Sequence, residues 1–229
     1  MPTPAHDPGL PASTGTSVDR VAALVRADIL SGVLPPDTPL REEAASEQYG
    51  VSRHTVRAAF QRLVAERLAV AEAYRGVRVT SFDRAQVIAL QQLRAALEVE
   101  AVRIVGERYG EVWPDPVLAP ARDALARLDS LARDASATDD EDDDDWLEAE
   151  RIHADFHRAI VAASASPRII EAHSALGSEL LLFLLHVRPH YTLESLIEEH
   201  RALLDELPTR GGEAVREHLE HSTRLLIGA

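Results

Sequence analysis

The segment from residue 40 to residue 80 constrains the fold of this chain more than any other feature. Gly50 follows a short helical stretch and suits the left-handed conformation in which many helices end. Ser52 has the kind of side chain preferred just before the first turn of a helix, so a second helix is expected after it. Beyond that helix, the alternation of residues 77–80 behind Gly76 predicts a strand and a tight turn. The whole predicts a winged helix-turn-helix, a structure that enters a DNA groove.

The second helix of this segment carries side chains suited to reading DNA. Its inward stripe is formed by Val56, Ala59, Phe60 and Leu63. Its first turns carry polar side chains at the end where recognition helices reach base edges, and Arg can grip guanine through O6 and N7. The tip of the wing can approach a minor groove. The candidate DNA-binding residues are Arg53, His54, Thr55, Arg57, Arg75 and Gly76.

The charge of the chain is divided unequally along its length. The formal net charge is −14, yet residues 17–82 contain nine Arg and eight acidic residues, whereas residues 83–229 contain fifteen Arg and twenty-nine acidic residues. The predicted DNA reader is therefore nearly neutral, and it would need a second copy to gather enough phosphate contacts. This predicts a homodimer on a palindromic DNA site.

Several classes of protein are disfavoured by composition. Cys is absent, which excludes disulfides and thiolate chemistry. The longest apolar run, residues 180–185, is too short to cross a bilayer, and the N-terminus lacks a secretory signal, so a cytoplasmic protein without membrane contact is expected. The apolar run could be core or dimer interface. Residues 1–16 are rich in Pro, Ala, Ser, Thr and Gly and are predicted to form a disordered tail.

Everything after residue 83 is predicted to be helical. The fold class is therefore mainly α, with a winged helix-turn-helix over residues 17–82 and an antiparallel all-α bundle over residues 83–229. The acidic run 139–145 is interpreted as a solvated loop between helices. Six bundle helices are expected, at about residues 84–107, 117–133, 145–163, 167–187, 193–207 and 212–227.

Four histidines of the predicted bundle form a second candidate site. His153 and His157 are four residues apart and project from one helix face. His200 occupies an apolar position of its helix, and a buried ring needs a polar partner. The apolar face around His218 is ambiguous. Spacing alone leaves two alternatives open, four separately satisfied histidines or a metal site, since imidazole is a good ligand for zinc and its neighbours.

The chain resembles a known family. Residues 50–63, preceded by residues 32–40, resemble the GntR superfamily of bacterial winged-helix repressors, and the bundle resembles the ligand-sensing domain of its FCD (FadR-like) subgroup. The resemblance implies that Arg53, Thr55, Arg57 and the wing tip contact operator DNA. Three positions depart from the family, which often has Arg at Glu43, Pro at Thr55 and Glu at Ala58, so the operator is expected to differ.

The resemblance also implies a divalent metal held by an Asp and three His. Segments 153–157, 199–201 and 214–219 match the family patterns, which makes His153, His157, His200 and His218 the expected ligands of Zn, or of Ni or Mn. His153 stands where the family has Asp, and Asp155 falls on another helix face. The connection from His200 to His218 is about one helical turn short, which leaves His221 as an alternative ligand.

Arg94 and Glu98 match a further family pattern in residues 93–98. The resemblance implies that they line an effector pocket, in which Arg94 pairs with a carboxylate. Their spacing equally permits a simple helix salt bridge.

The leading hypothesis is a repressor whose operator affinity responds to a small carboxylate that completes the coordination of the metal. Two alternatives remain open. One is a regulator for which the metal ion is itself the signal, and the other is a metalloenzyme. Ala154 stands where a hydrolytic HExxH site would have its Glu, so no enzyme activity is expected.

Overall fold

A computed structural model describes residues 15–138, 143–187 and 192–227. Within these ranges the N-terminal part alternates helices and strands, and the remainder is helical. The elements of the N-terminal module are α1 Ser17–Leu30, β1 Pro39–Leu40, α2 Glu42–Tyr49, α3 Arg53–Ala65, β2 Ala69–Glu72 and β3 Gly76–Val79. Those of the helical bundle are α4 Arg84–Tyr109, α5 Asp115–Thr138, α6 Asp143–Ala163, α7 Pro167–Ser174, α8 Gly177–Val187, α9 Leu193–Arg210 and α10 Gly212–Ile227.

The turn between α2 and α3 has the local structure that the sequence predicts. Gly50 ends α2 in the left-handed conformation, with φ of 62°. The hydroxyl of Ser52 accepts a hydrogen bond from the backbone N–H of Thr55 at 3.1 Å, which caps α3. The prediction of a mainly α fold with an N-terminal winged helix-turn-helix is confirmed.

The wing belongs to a sheet of three strands in the order β1-β3-β2, and both pairings are antiparallel. Strands β2 and β3 form the expected hairpin, in which Glu72 lies opposite Gly76. Strand β1 adds an edge that the sequence analysis did not predict, with Leu40 opposite Val77. Two residues are too few to show the alternation by which a strand is recognised.

The core of the N-terminal module is closed by a side chain from the bundle. Helix α3 contributes its predicted inward stripe, including Phe60 and Leu63, and α1 packs Val25 and Ile29 against it. Leu182 of α8 is buried in the same apolar cluster. The module and the bundle therefore share a core at α8.

The bundle is built around α4, which packs against α6, α7 and α10. One predicted helix boundary was wrong, because the single helix expected over residues 167–187 is two helices, α7 and α8. The break falls at Ala175 and Leu176, where backbone hydrogen bonds close a turn before Gly177 begins α8. Neither residue is a strong helix breaker, but Gly177 directly after them has a low helix propensity and marks the break.

The predicted tail and the acidic run lie partly outside the described residues. Residues 1–14 of the predicted tail lie outside them, while Thr16 caps α1. Residues 139–142 of the acidic run also lie outside, and the interpretation of the run as a loop was wrong for residues 143 and 144, which begin α6. In the apolar run, Leu180, Leu182 and Phe183 are buried within the chain. No helix of the described part has both the length and the apolar character needed to cross a bilayer.

Candidate functional site

The first turn of α3 presents the candidate DNA-binding side chains. Arg53 and Arg57 are exposed, with 63% and 62% of their side-chain surface accessible. His54 is exposed as well. Thr55 is half-buried, and its hydroxyl lies 2.9 Å from that of Ser52, so it supports the helix cap. Two guanidinium groups and an imidazole are thus exposed near the start of the helix.

Each of these two arginines is paired with a carboxylate from α2. Arg57 donates from Nε and Nη2 to the two oxygens of Glu42, at 2.8 and 2.7 Å. That hydrogen bond lowers the pKa of Glu42. Arg53 donates from Nη2 to Oε1 of Glu43. Sequence analysis did not find these pairs, because the partners lie on different helices and their contact depends on the angle of the turn.

The wing tip projects into solvent. Tyr74 is fully exposed with φ of 67°, and Gly76 has φ of 80°. Arg75 lies 3.0 Å from Glu72 through its Nη1 atom. A positive φ at Gly76 costs little because glycine has no side chain to clash, and this conformation allows the tight turn at the wing tip. Arg75 and Gly76 therefore share an accessible loop.

The four histidines predicted as ligands lie together inside the bundle. Helix α6 supplies His153 and His157, α9 supplies His200 and α10 supplies His218. One nitrogen of each ring lies within 4.8 Å of the corresponding nitrogens of the other three. His221 lies outside this group, because its side chain is 45% exposed and its Nε2 lies 3.3 Å from Glu199.

Hydrogen bonds orient two of the rings. His157 donates from Nδ1 to Oε2 of Glu98 at 2.8 Å, and His200 donates from Nδ1 to the carbonyl of Leu196 at 2.6 Å. In a neutral ring the other nitrogen is then an acceptor with a lone pair. The two Nε2 atoms nevertheless face each other at 3.1 Å. The Nε2 of His153 lies 3.0 Å from that of His157. Facing lone pairs repel, and a cation between them removes the repulsion, so this donor set fits a metal ion.

Burial keeps these rings neutral. It lowers the pKa of His157 to about 4, and the nearby charge of Arg94 acts in the same direction. Burial, followed by the neighbouring rings, also holds the pKa values of His153, His200 and His218 well below their usual range. Neutral imidazole is the form that binds metals.

Arg94 and Glu98 form the helix salt bridge that their spacing permits. The side chain of Glu98 is 0% exposed, and its Oε1 accepts from Nε of Arg94 at 2.6 Å. The same oxygen lies 3.2 Å from Nε2 of His173 on α7. Burial alone would raise the pKa of Glu98, but Arg94 and His157 hold it well below its usual range. That Arg94 and Glu98 contact an effector stays a prediction.

His173 is a buried polar residue that sequence analysis missed. It is 75 residues from Glu98, its partner, in the sequence. It lies in the last turn of α7, a helix that mixes apolar residues with Arg168, Glu171 and Ser174, so no local pattern marked it.

His218 also lines a surface pocket of about 400 Å³ between α9 and α10. Three carboxylates line this pocket, those of Glu199, Glu206 and Glu217, together with the guanidinium of Arg210. Arg210 is paired with both Glu206 and Glu217 at 2.6 Å. The surface beside the histidine centre is therefore acidic on balance.

Comparison with known proteins assigns both parts of the chain. The family described as bacterial regulatory proteins, gntR family, matches residues 17–79, and the FCD domain matches residues 89–224. The chain is 30% identical over 215 residues to the HTH-type transcriptional repressor GlaR of Escherichia coli (strain K12), with 90% of this chain and 93% of that protein covered. It is 32% identical over 207 residues to the HTH-type transcriptional regulator BphR of Paraburkholderia xenovorans (strain LB400), with 86% and 80% covered.

A solved structure of a GntR transcriptional regulator from Rhodococcus sp. RHA1 has the same fold, with a TM-score of 0.71 at 27% identity, covering 93% of this chain and 98% of that one. These relatives are regulators, which confirms the prediction that the chain is not an enzyme. The chain belongs to the GntR family of bacterial regulatory proteins and combines its helix-turn-helix domain with an FCD domain.

Proposed function

We propose that this chain is a transcriptional repressor that binds a palindromic operator as a homodimer and changes its operator affinity when a ligand binds at the histidine centre. The observation that carries the proposal is the pair of inward-facing Nε2 atoms of His157 and His200, held 3.1 Å apart by hydrogen bonds on their opposite sides. Two buried acceptor atoms that face each other without a donor between them are unfavourable, which supports a ligand at this position. We take residues 17–82 as the DNA-binding domain and residues 83–229 as the sensing and dimerisation domain.

The exposed side chains of α3 and the wing support DNA binding. Arg53 and Arg57 stand at the end of α3 that recognition helices direct at base edges, and Arg75 lies on the wing. The module carries almost no net charge, so two copies on one site would supply the phosphate contacts that one copy lacks. A two-fold axis also matches a palindrome. The repressor name of the Escherichia coli relative supports repression as the outcome.

His153, His157, His200 and His218 would hold a divalent metal, with Zn the first choice and Ni or Mn as alternatives. A bound ion would attract an anionic ligand group as a Lewis acid. The four neutral rings bring no charge, and the nearby carboxylate of Glu98 is already paired with Arg94. An anion would therefore compensate the charge of the ion, which supports a small carboxylate as the effector.

A chain of contacts leads from this centre to the DNA-binding domain. Glu98 contacts His157 and also His173, which lies on α7. The next helix, α8, places Leu182 in the core of the N-terminal module, and Glu179 of α8 lies 3.4 Å from Arg67 of that module. A ligand that moves His157 can thus shift α7 and α8. Control requires that the ligand bind one of the two arrangements more tightly.

A second candidate function is a metal-responsive regulator. The pocket beside His218 is lined by three carboxylates and one guanidinium, a charge balance that favours the approach of a cation over that of a carboxylate. In that case the ion itself would be the signal, and organic acids would have no effect.

The test uses the full chain. Binding sites are first selected from random duplex DNA, and the affinity for the selected duplex is then measured by fluorescence anisotropy. Three conditions are compared: chelator, Zn²⁺, and Zn²⁺ with each of a panel of short carboxylates. An effect of a carboxylate that requires Zn²⁺ and disappears in His200→Ala supports effector control. An effect of Zn²⁺ alone supports the metal-responsive regulator. Failure to select any palindrome would contradict both.

A further inference from the structure

The contact between Glu43 and Arg53 places a carboxylate beside the DNA-reading end of α3. Arg53 is the first residue of that helix and Glu43 lies in the first turn of α2. Their side chains are in contact, although that of Glu43 is 70% exposed and that of Arg53 is 63% exposed. The two helices thus present one acceptor group and one donor group together at a solvent-facing surface.

A carboxylate at this position restricts which chemical groups of DNA can lie next to it. It accepts hydrogen bonds but cannot donate them, and phosphate oxygens repel it. In the major groove the donors are the exocyclic amines, and a carboxylate is suited to N4 of cytosine. Arg53 reduces the repulsion from phosphates. The second oxygen of Glu43 accepts no hydrogen bond from any residue within the described ranges.

Glu42 provides a contrast on the same helix. It binds Arg57 with both oxygens, at 2.8 and 2.7 Å, and only 32% of its side chain is exposed. Both its oxygens are therefore engaged in orienting Arg57. Glu43 engages a single oxygen and is more exposed, so it is the carboxylate of α2 with capacity left for a base.

We propose that Glu43 is a specificity-determining residue of operator recognition, which accepts a hydrogen bond from the N4 amine of a cytosine in each half-site while Arg53 neutralises its charge. This inference rests on the proposed function, because it requires that α3 enter a major groove. The proposal predicts which base stands at one position of the operator, whereas membership of the family predicts no base there.

The test is selection of binding sites from random duplex DNA by the full-length protein and by Glu43 variants. Wild type is expected to enrich cytosine at one position of each half-site. Glu43→Gln is expected to enrich adenine there, because an amide can bind N6 and N7 of adenine, and Glu43→Ala is expected to show no preference there. Glu47→Gln is the matched control, since Glu47 is an exposed residue of α2 without an ion pair to any residue that the structure describes, and it should select the wild-type motif.

Anisotropy with the selected duplexes gives the size of the effect. Wild type should prefer cytosine at that position by about tenfold or more, and Glu43→Ala should reduce this preference to about twofold or less. Glu43→Ala should also bind random DNA more tightly, because Arg53 loses its ion pair with Glu43 and can contact a phosphate. The affinity should then fall more steeply with salt concentration, by about the amount expected for one phosphate contact. Equal melting temperatures would show that the exposed variants fold.

The outcomes separate the two claims. If wild type and both Glu43 variants select one and the same motif, the role of Glu43 is refuted while DNA binding stands. If wild type enriches no motif, the proposed function fails and the inference fails with it.

Discussion

At the scale of single residues, Glu98 is the carboxylate on which the histidine centre depends. It fixes the donor side of His157 and also contacts Arg94 and His173. A ligand histidine held in this way has its second nitrogen directed at the metal and made more basic. Glu98 should therefore contribute to metal affinity without touching the ion.

We expect Glu98→Gln to weaken Zn²⁺ binding by about 10- to 100-fold, because a neutral amide oxygen accepts a weaker hydrogen bond from His157 than an ionised carboxylate does. Competition with a chromogenic chelator measures the affinity. Glu100→Gln is the control, since Glu100 lies on the same helix and pairs with Arg103 at the surface. Unchanged affinity in Glu98→Gln would show that the carboxylate does not position a ligand.

The buried rings also make stability depend on pH. Their pKa values in the folded chain are lowered, that of His157 to about 4 from an ordinary value of 6.5, so below pH 6.5 the unfolded chain binds more protons than the folded one. The free energy of unfolding of the metal-free protein should therefore fall as the pH drops from 6.5 towards 4, by about 1.4 kcal/mol per pH unit for each such ring.

Denaturant unfolding in chelator at a series of pH values measures this slope. His200→Leu should reduce the slope by about one proton, because the buried ring that resists protonation in the folded chain is gone. Identical slopes in wild type and His200→Leu would contradict the assignment of His200 as a neutral buried ring.

At the scale of elements, the capped N-terminus of α3 fixes where its arginines point. We expect Ser52→Ala to cost about 1 kcal/mol of stability, because the backbone N–H of Thr55 loses its acceptor. Chemical denaturation followed by circular dichroism measures the loss. Ser31→Ala is the control, since that exposed hydroxyl forms only a long 3.4 Å bond to the carbonyl of Asp28. An equal small loss in both variants would argue against the cap.

The elements also show what the sequence can and cannot predict. Helix α3 was predicted closely because its apolar spacing, its cap and Gly50 are all local signals. Strand β1 depends on pairing with a distant strand, and the break between α7 and α8 has Gly177 as its one local signal. The His cluster was predicted from helical spacing and the resemblance. The sequence left the apolar face around His218 ambiguous, and the packing of α10 against α4 shows which face is buried. The contact of His173 with Glu98 and that of Glu43 with Arg53 depend on tertiary structure and were not predicted.

At the scale of the whole molecule, a nearly neutral helix-turn-helix module and an acidic helical bundle meet at α8. Leu182 belongs to the core of the N-terminal module, whereas Leu180, two residues earlier, packs with Leu90 and Phe183 inside the bundle. Neighbouring residues of one helix thus serve different cores. Leu182 is therefore one of the contacts, together with the pair of Glu179 and Arg67, through which α8 touches the N-terminal module.

We expect Leu182→Ala to reduce the effect of ligand on operator affinity, because the shared core is loosened. Leu180→Ala removes the same atoms from the bundle alone and should lose comparable stability, about 2–5 kcal/mol, while keeping the ligand effect. The ratio of operator Kd values with and without the ligand that acts on the wild type, measured well below the melting temperature of each variant, gives the comparison. Equal ratios in the two variants would place the connection elsewhere.

The shared core at Leu182 also governs the order in which a newly made chain can mature. The ribosome must synthesise residue 182 before the core of the N-terminal module can close, and Leu147 and Leu181 add to the same surface. A chain that stops earlier exposes this apolar surface, which chaperones and proteases recognise. We therefore expect a chain that ends before residue 182 to have a less stable N-terminal module than the full chain and to be a better substrate for proteases.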